Sequence, residues 1–120
     1  MIGIRGATTI NINNEREILT NTVDLMEEVI DANCLERDKI ASIFFSCTKD
    51  ITAAYPAKAV RELGFVDVPL MCFQEMDVFD SLQKCIRICV FYNGEIEKKD
   101  VRHIYLNKAK KLRPDLLSIE

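Results

Sequence analysis

Residues 84–92 are the most informative run in this sequence: Lys84-Cys85-Ile86-Arg87-Ile88-Cys89-Val90-Phe91-Tyr92. Side chains alternate along a strand, so Cys85, Arg87, Cys89 and Phe91 face one way and Ile86, Ile88, Val90 and Tyr92 the other. This pattern predicts a central strand that is apolar on both faces. Arg87 within it needs an anion, because a guanidinium is rarely buried unpaired. That anion is either a ligand or a carboxylate of the chain itself, Glu75 or Glu62.

Four further cations lie at the ends of apolar runs: Arg5, Lys58, Arg61 and Arg113. The chain as a whole is acidic, with a net charge of -3, so it lacks the phosphate-neutralising surface of a nucleic-acid-binding protein. The isolated cations therefore indicate a pocket for a small, multiply charged anion. Plainer interpretations remain open: Arg5 could be a solvated strand end, and Lys58 and Arg61, three apart on a helix, a solvated face.

The rest of the chain predicts one α/β (α+β) domain over residues 1–120 with a mixed sheet of about five strands. The expected strands are 2–9, 39–48, 68–74, 84–92 and 101–105. A long helix should follow Asn14, its N-cap, with Glu17 completing a capping box, and run to about Asn33. A shorter helix should begin at Pro56 and end at Gly64. A last helix should run from Tyr105 to Arg113, before Pro114.

So short a chain, with one long helix and two short ones, cannot easily cover both faces of this sheet. The apolar character of residues 84–92 on both faces therefore predicts self-association through the sheet. The 120 residues, 48% of them hydrophobic, suffice for a single core.

The sequence contains five cysteines, which indicate the redox compartment and test for metal binding. They are Cys34, Cys47, Cys72, Cys85 and Cys89. Their odd number and irregular spacing predict buried, reduced thiols rather than disulfides. The lone histidine, His103, completes no zinc pattern, so no metal or other cofactor is expected. The start of the sequence lacks the features of a signal peptide, and no apolar run is long enough to span a membrane. We therefore expect a cytoplasmic protein.

Five segments together carry a resemblance to a known family. They are Ile4–Thr9, Tyr55–Leu63, Cys72–Val78, Lys84–Arg87, and Arg102–Leu106 running on to Leu112–Leu116. In this order they resemble the monofunctional bacterial chorismate mutases of the trimeric, mixed α/β-barrel class. The resemblance implies a pseudo-α/β-barrel homotrimer with active sites between subunits. It also implies an isomerase that converts chorismate to prephenate, toward phenylalanine and tyrosine, without a cofactor.

The resemblance also implies roles for particular residues. Arg87 would contact the ether oxygen and a carboxylate of the substrate, and Arg5 would bind the enolpyruvyl carboxylate together with the Tyr105 hydroxyl. Glu75 and Cys72 would bind the ring hydroxyl. A regular strand points these two side chains to opposite faces, so either the strand bends or Cys72 acts through its backbone.

The remaining implied site residues belong to the rim of the pocket. The resemblance implies that an adjacent subunit lends Tyr55, Ala57, Lys58 and Arg61. It also implies that Lys58 and Arg61 close the mouth with Leu112 and Arg113. Two rival functions stay open: a ligand-sensing trimer without turnover, and a deaminase-like trimer that uses Glu75 as an acid–base group.

Overall fold

The computed structural model describes residues 1–113 and contains one five-stranded sheet. Its strands are β1 (Ile2–Thr9), β2 (Ile40–Cys47), β3 (Leu70–Gln74), β4 (Cys85–Tyr92) and β5 (Ile104–Tyr105). In space they are ordered β3-β2-β4-β1-β5. The strand predicted over 84–92 is therefore central, and it pairs antiparallel with both β1 and β2. The pairs β2–β3 and β1–β5 are parallel, so the predicted mixed sheet is confirmed.

The long helix α1 (Glu15–Asn33) begins as predicted, because the side chain of Asn14 accepts a 2.8 Å hydrogen bond from the N–H of Glu17. The second half of the predicted capping box is wrong. The Glu17 carboxylate accepts instead from the N–H groups of Asn11 and Ile12, at 2.6 and 3.1 Å. The N–H of Asn14 is already used, since it donates to the carbonyl of Ile12.

The second helix, α2 (Pro56–Glu62), has proline in its first turn, and the chain leaves it through Gly64 at a φ of +103°. The predicted last helix is wrong in two respects. Tyr105 belongs to β5, which is shorter than predicted, and residues Asn107–Lys111 form a 3-10 helix. Tyr105 pairs with the backbone of Ala7 in the sheet, so it does not start a helix, although the side chains that follow it have helical spacing. Pro114, the predicted stop, lies outside the described residues.

The core lies between α1, α2 and one face of the sheet. Leu25 and Met26 of α1 are fully buried there, together with strand residues such as Ile43, Phe45 and Val90. No helix within residues 1–113 is long and apolar enough to cross a membrane.

The opposite side of the sheet is only partly covered within residues 1–113, where Ala7, Cys85 and Tyr105 pack with Ala109 and Leu112. We call this side the open face. Its exposed and partly exposed residues include Arg5, Phe44, Ser46, Met71, Phe73, Arg87, Cys89 and Phe91. Phe44, Met71 and Phe73 are 37%, 51% and 48% exposed. Phe44 makes edge-to-face contacts with Phe73 and Phe91, with centroids 5.7 and 5.1 Å apart. One face of the central sheet is thus apolar and exposed, as the sequence predicted for a single chain.

All five cysteines are free thiols, but the predicted burial is wrong for Cys34, which is exposed. It lies at the C-cap of α1 in the left-handed conformation, with φ 50° and ψ 46°. This position follows the last residue of the helix, where the apolar character of a thiol does not ensure burial. Cys85 is buried, and the other three are partly buried.

Candidate active site

Sheet register brings Arg5, Arg87 and Tyr105 together on the open face. Ala7 of β1 pairs with Arg87 on one side and with Tyr105 on the other, and Arg5 pairs with Cys89, two residues beyond Arg87. All three predicted side chains line one cavity of about 350 Å³. Two guanidinium groups and a phenol there can bind a small dicarboxylate.

The rim of this cavity includes Leu112 and Arg113, the last described residues. Leu112 packs against the cluster formed by Ala7, Cys85 and Tyr105. Leu112 and Arg113 thus lie at the same cavity as Arg5, Arg87 and Tyr105, and their role in closing its mouth stays a prediction. The segment that follows Arg113, including the motif residues Pro114, Asp115 and Leu116, lies outside the described residues.

Arg87 is not buried within the single chain, contrary to the expectation for residues 84–92. Its side chain is 47% exposed. Its Nε lies 3.7 Å from Oε2 of Glu75, whose side chain is 25% exposed. This distance exceeds a hydrogen bond, and a pair so exposed to solvent contributes at most about 1 kcal/mol. The contact is too weak to account for Arg87 as a purely structural ion pair.

Arg87 also contacts Cys85, its neighbour on the same face. Burial raises the pKa of the Cys85 thiol, while the charge of Arg87 and a hydrogen bond between the two side chains act in the opposite direction.

Glu75 follows β3 directly, and two contacts fix it. Its N–H donates to the carbonyl of Cys47 at 2.8 Å, and its Oε2 accepts from the Ser46 hydroxyl at 2.7 Å. Glu75 also borders a second cavity of about 680 Å³, formed by Thr48–Asp50 and the loop 75–83. Sequence reasoning gave no role to Ser46, since one serine in an apolar strand carries no distinguishing signal.

Cys72 lies away from Arg87, on the helix side of the sheet. Its parallel partner in β2 is Phe45, a core residue, so the two side chains share that side. Burial raises the pKa of its thiol, while a hydrogen bond from the Ala57 backbone and the charge of Arg61 lower it. Glu75 instead bonds to Ser46, so the structure does not bring the Cys72 and Glu75 side chains together, and their shared role at the ring hydroxyl stays a prediction.

Tyr55, Lys58 and Cys72 line a third cavity, of about 640 Å³, at the start of α2. Tyr55 is 71% exposed, and Lys58 Nζ forms a 3.0 Å ion pair with Glu15. Ala57 is buried and Arg61 exposed. Four residues were expected to be lent to another subunit: Tyr55, Ala57, Lys58 and Arg61. The structure places Cys72, which was expected to bind the ring hydroxyl beside Glu75, next to these four instead. We call the five residues together the α2 group.

His103 was missed by the sequence analysis as a contact of the site. Its Nδ1 accepts a 2.9 Å hydrogen bond from the backbone N–H of Arg5. Burial lowers its pKa first, and the positive charges of Arg5 and Arg113 lower it further. His103 therefore supports Arg5 as a neutral acceptor. Within residues 1–113, no cluster of three His, Cys, Asp or Glu side chains could hold a metal ion.

Comparison with known proteins assigns this arrangement to a family. A sequence model described as chorismate mutase type I matches residues 1–116. The chain belongs to the chorismate mutase type I family. It is 45% identical to chorismate mutase AroH of Bacillus subtilis (strain 168) over 115 residues, which cover 95% of this chain and 91% of that one. It is 37% identical to the AroH of Thermus thermophilus over 119 residues, 98% of each chain.

The fold agrees with this membership. A solved chorismate mutase from Clostridium thermocellum matches with a TM-score of 0.91 and 47% identity, over 92% of this chain and 99% of that one. The family, the fold class and the enzyme class predicted from the sequence, an isomerase with chorismate mutase function, are thereby confirmed.

Proposed function

We propose that the chain converts chorismate to prephenate in a site built from Arg87, Arg5, Glu75 and Tyr105 together with the α2 group of a second subunit. The observation that carries this proposal is the convergence of Arg5, Arg87 and Tyr105 on one cavity of the open face. Three strands supply these groups, so the sheet holds their spacing fixed.

The rearrangement breaks a carbon–oxygen ether bond while a carbon–carbon bond forms within the same molecule. It needs no proton transfer and no nucleophile, and the ether oxygen becomes more negative in the transition state. A fixed guanidinium at that oxygen lowers the barrier, because its charge is already oriented. Arg87 supplies this charge in our proposal, and its planar fork also reaches a substrate carboxylate.

The remaining groups restrict the substrate to its reactive conformer. Arg5 and the Tyr105 hydroxyl bind the enolpyruvyl carboxylate, since paired donors fix its direction. Glu75 accepts a hydrogen bond from the ring hydroxyl. Holding the two reacting ends in contact converts a rare conformer into the bound one, which accounts for a large share of the rate enhancement.

The separation of the two groups supports a homotrimer with sites between subunits. Tyr55, Lys58 and Cys72 of the α2 group border a different cavity from Arg87 in the same chain. A second copy whose α2 faces the open face would bring Lys58 and Arg61 to the second carboxylate and would cover Phe44 and Phe73. In this arrangement Cys72 belongs to the lent group, and Leu112 and Arg113 close the mouth.

The proposal extends to the whole chain and its compartment. The family match over residues 1–116 supports a single catalytic domain spanning 1–120. Five free cysteines are typical of proteins in reducing compartments, which supports a cytoplasmic enzyme.

The test of this function is to add chorismate to the purified protein, follow the loss of ultraviolet absorbance and identify the product by proton NMR. We expect prephenate, formed far above the spontaneous rate. Binding of prephenate without a rate above the spontaneous one would favour the ligand-sensing alternative. Ammonia release from amino-acid-derived substrates, without prephenate formation, would favour the deaminase-like alternative. Either result would contradict the proposal.

A further inference from the structure

Ser46 occupies a central position in the candidate site. It lies on β2 directly opposite Arg87 in the antiparallel ladder, on the open face, and borders the same cavity. Its hydroxyl donates a 2.7 Å hydrogen bond to Oε2 of Glu75, which follows the neighbouring strand. One short side chain thus connects the strand opposite Arg87 to the carboxylate beyond β3.

Both side-chain contacts of Glu75 converge on the same oxygen. Oε2 accepts from Ser46 and is also the atom 3.7 Å from Nε of Arg87. Oε1 has no partner among residues 1–113. A carboxylate accepts hydrogen bonds at both oxygens, so this asymmetry leaves Oε1 available to a ligand. Glu75 itself lines the adjacent cavity of about 680 Å³, and its contact with Ser46 links it to the cavity that Arg87 lines.

We propose that Ser46 is a positioning residue, whose hydroxyl holds Oε2 of Glu75 so that Oε1 faces the ring hydroxyl of the substrate. This inference rests on the proposed function. A glutamate side chain has several rotatable bonds, and fixing them only on binding costs conformational entropy. A hydrogen bond to the charged carboxylate fixes these bonds before the substrate arrives. The entropy cost of ordering Glu75 is then not part of substrate binding.

The experiment compares Ser46→Ala, Ser46→Thr and the control Ser42→Ala, each alone and combined with Glu75→Ala. Ser42 lies on the same strand and face, opposite Phe91, and its side chain makes no hydrogen bond within residues 1–113. The readouts are kcat/KM for chorismate, prephenate affinity by calorimetry, and the midpoint of thermal unfolding.

We expect Ser46→Ala to lower kcat/KM about tenfold, the size typical of losing a hydrogen bond to a charged group. Ser46→Thr should restore it because threonine keeps the hydroxyl, and Ser42→Ala should stay within about twofold of wild type. In the Glu75→Ala background, Ser46→Ala should have no further effect on kcat/KM or prephenate affinity, since the partner is gone. A merely structural serine would give the same loss in both backgrounds.

An unchanged kcat/KM in Ser46→Ala, an equal loss with and without Glu75, or failure of Ser46→Thr to restore activity would each overturn the proposal. If Ser46→Ala does not fold, Ser46→Cys replaces it under the same criteria, because the thiol has similar shape and is a weak donor. A wild-type protein that neither turns over chorismate nor binds prephenate would overturn the proposed function instead. Loss of activity in Glu75→Ala, with no effect from Ser46, would overturn this inference alone.

Discussion

The backbone N–H of Arg5 donates a 2.9 Å hydrogen bond to Nδ1 of His103. Only the neutral imidazole with its proton on Nε2 can accept this bond. Burial lowers the pKa of His103, and the charges of Arg5 and Arg113 lower it further. The contact joins β1 to the residue before β5, so the protonation of one histidine bears on the placement of Arg5.

Acidification should therefore weaken the fold through His103. Its pKa is lower in the folded than in the unfolded protein, so the unfolded state binds the proton first as pH falls below about 6.5. The contribution of neutral His103 to the free energy of unfolding is fully present above about pH 6.5, the unfolded pKa. It is lost as the pH falls from there to the lower pKa of the folded protein. Urea unfolding at pH 7.5 and 5.5 should show a larger loss in the wild type than in His103→Gln. An identical pH dependence in the two proteins would contradict this.

Assembly should depend on the open face. We expect light scattering to give a trimer at micromolar concentration, and Phe44→Arg to give a monomer, because it places a charge among the exposed aromatic rings. The monomer should lose about a hundredfold or more in kcat/KM, as its site lacks the lent groups. Val66→Arg, at an exposed apolar residue outside this face, is the control. A wild-type monomer with full activity would refute the shared site.

Complementation tests the shared site independently. Arg87→Ala removes one half of the site, and the double variant Lys58→Ala with Arg61→Ala removes the other. Co-expressed chains that assemble at random should regain about a quarter of wild-type activity, since one interface in four then unites two intact halves. Activity no greater than the sum of the separate variants would show that both halves come from one chain.

Alternation along one strand is a local property, and it placed Arg87 and Cys89 on the same face correctly. Their convergence with Arg5 depends on the pairing of Ala7 with Arg87, and the pattern of one strand does not determine that register. The predicted helix start at Tyr105 was wrong for the same reason, since Tyr105 pairs in parallel with Ala7 and ends β5, as the predicted strand 101–105 had placed it.

Side-chain contacts between residues far apart in the sequence could not be predicted from the sequence pattern. The bond between Ser46 and Glu75 and the bond between Arg5 and His103 leave no periodic signal. The resemblance supplied the roles of the site residues, and those roles remain predictions.

Thiol reactivity should follow burial. Burial raises the pKa of Cys47 to about 12 and also raises the pKa values of Cys72, Cys85 and Cys89, whereas Cys34 is exposed. The thiolate is the reactive form, so the four less exposed thiols should react slowly near neutral pH. Mass spectrometry after brief iodoacetamide treatment should show one adduct in the wild type and none in Cys34→Ala. Several adducts forming at equal rates would disagree with this structure.

The central claim is that Arg87 stabilises the charge on the breaking ether oxygen, and turnover of chorismate by Arg87→Ala and Arg87→Lys tests it most directly. We predict that Arg87→Ala folds like the wild type and loses at least about a hundredfold in kcat, the effect of removing one oriented donor to a developing oxyanion, while Arg87→Lys retains part of the activity. A folded, assembled Arg87→Ala protein with kcat within about threefold of wild type would contradict the account.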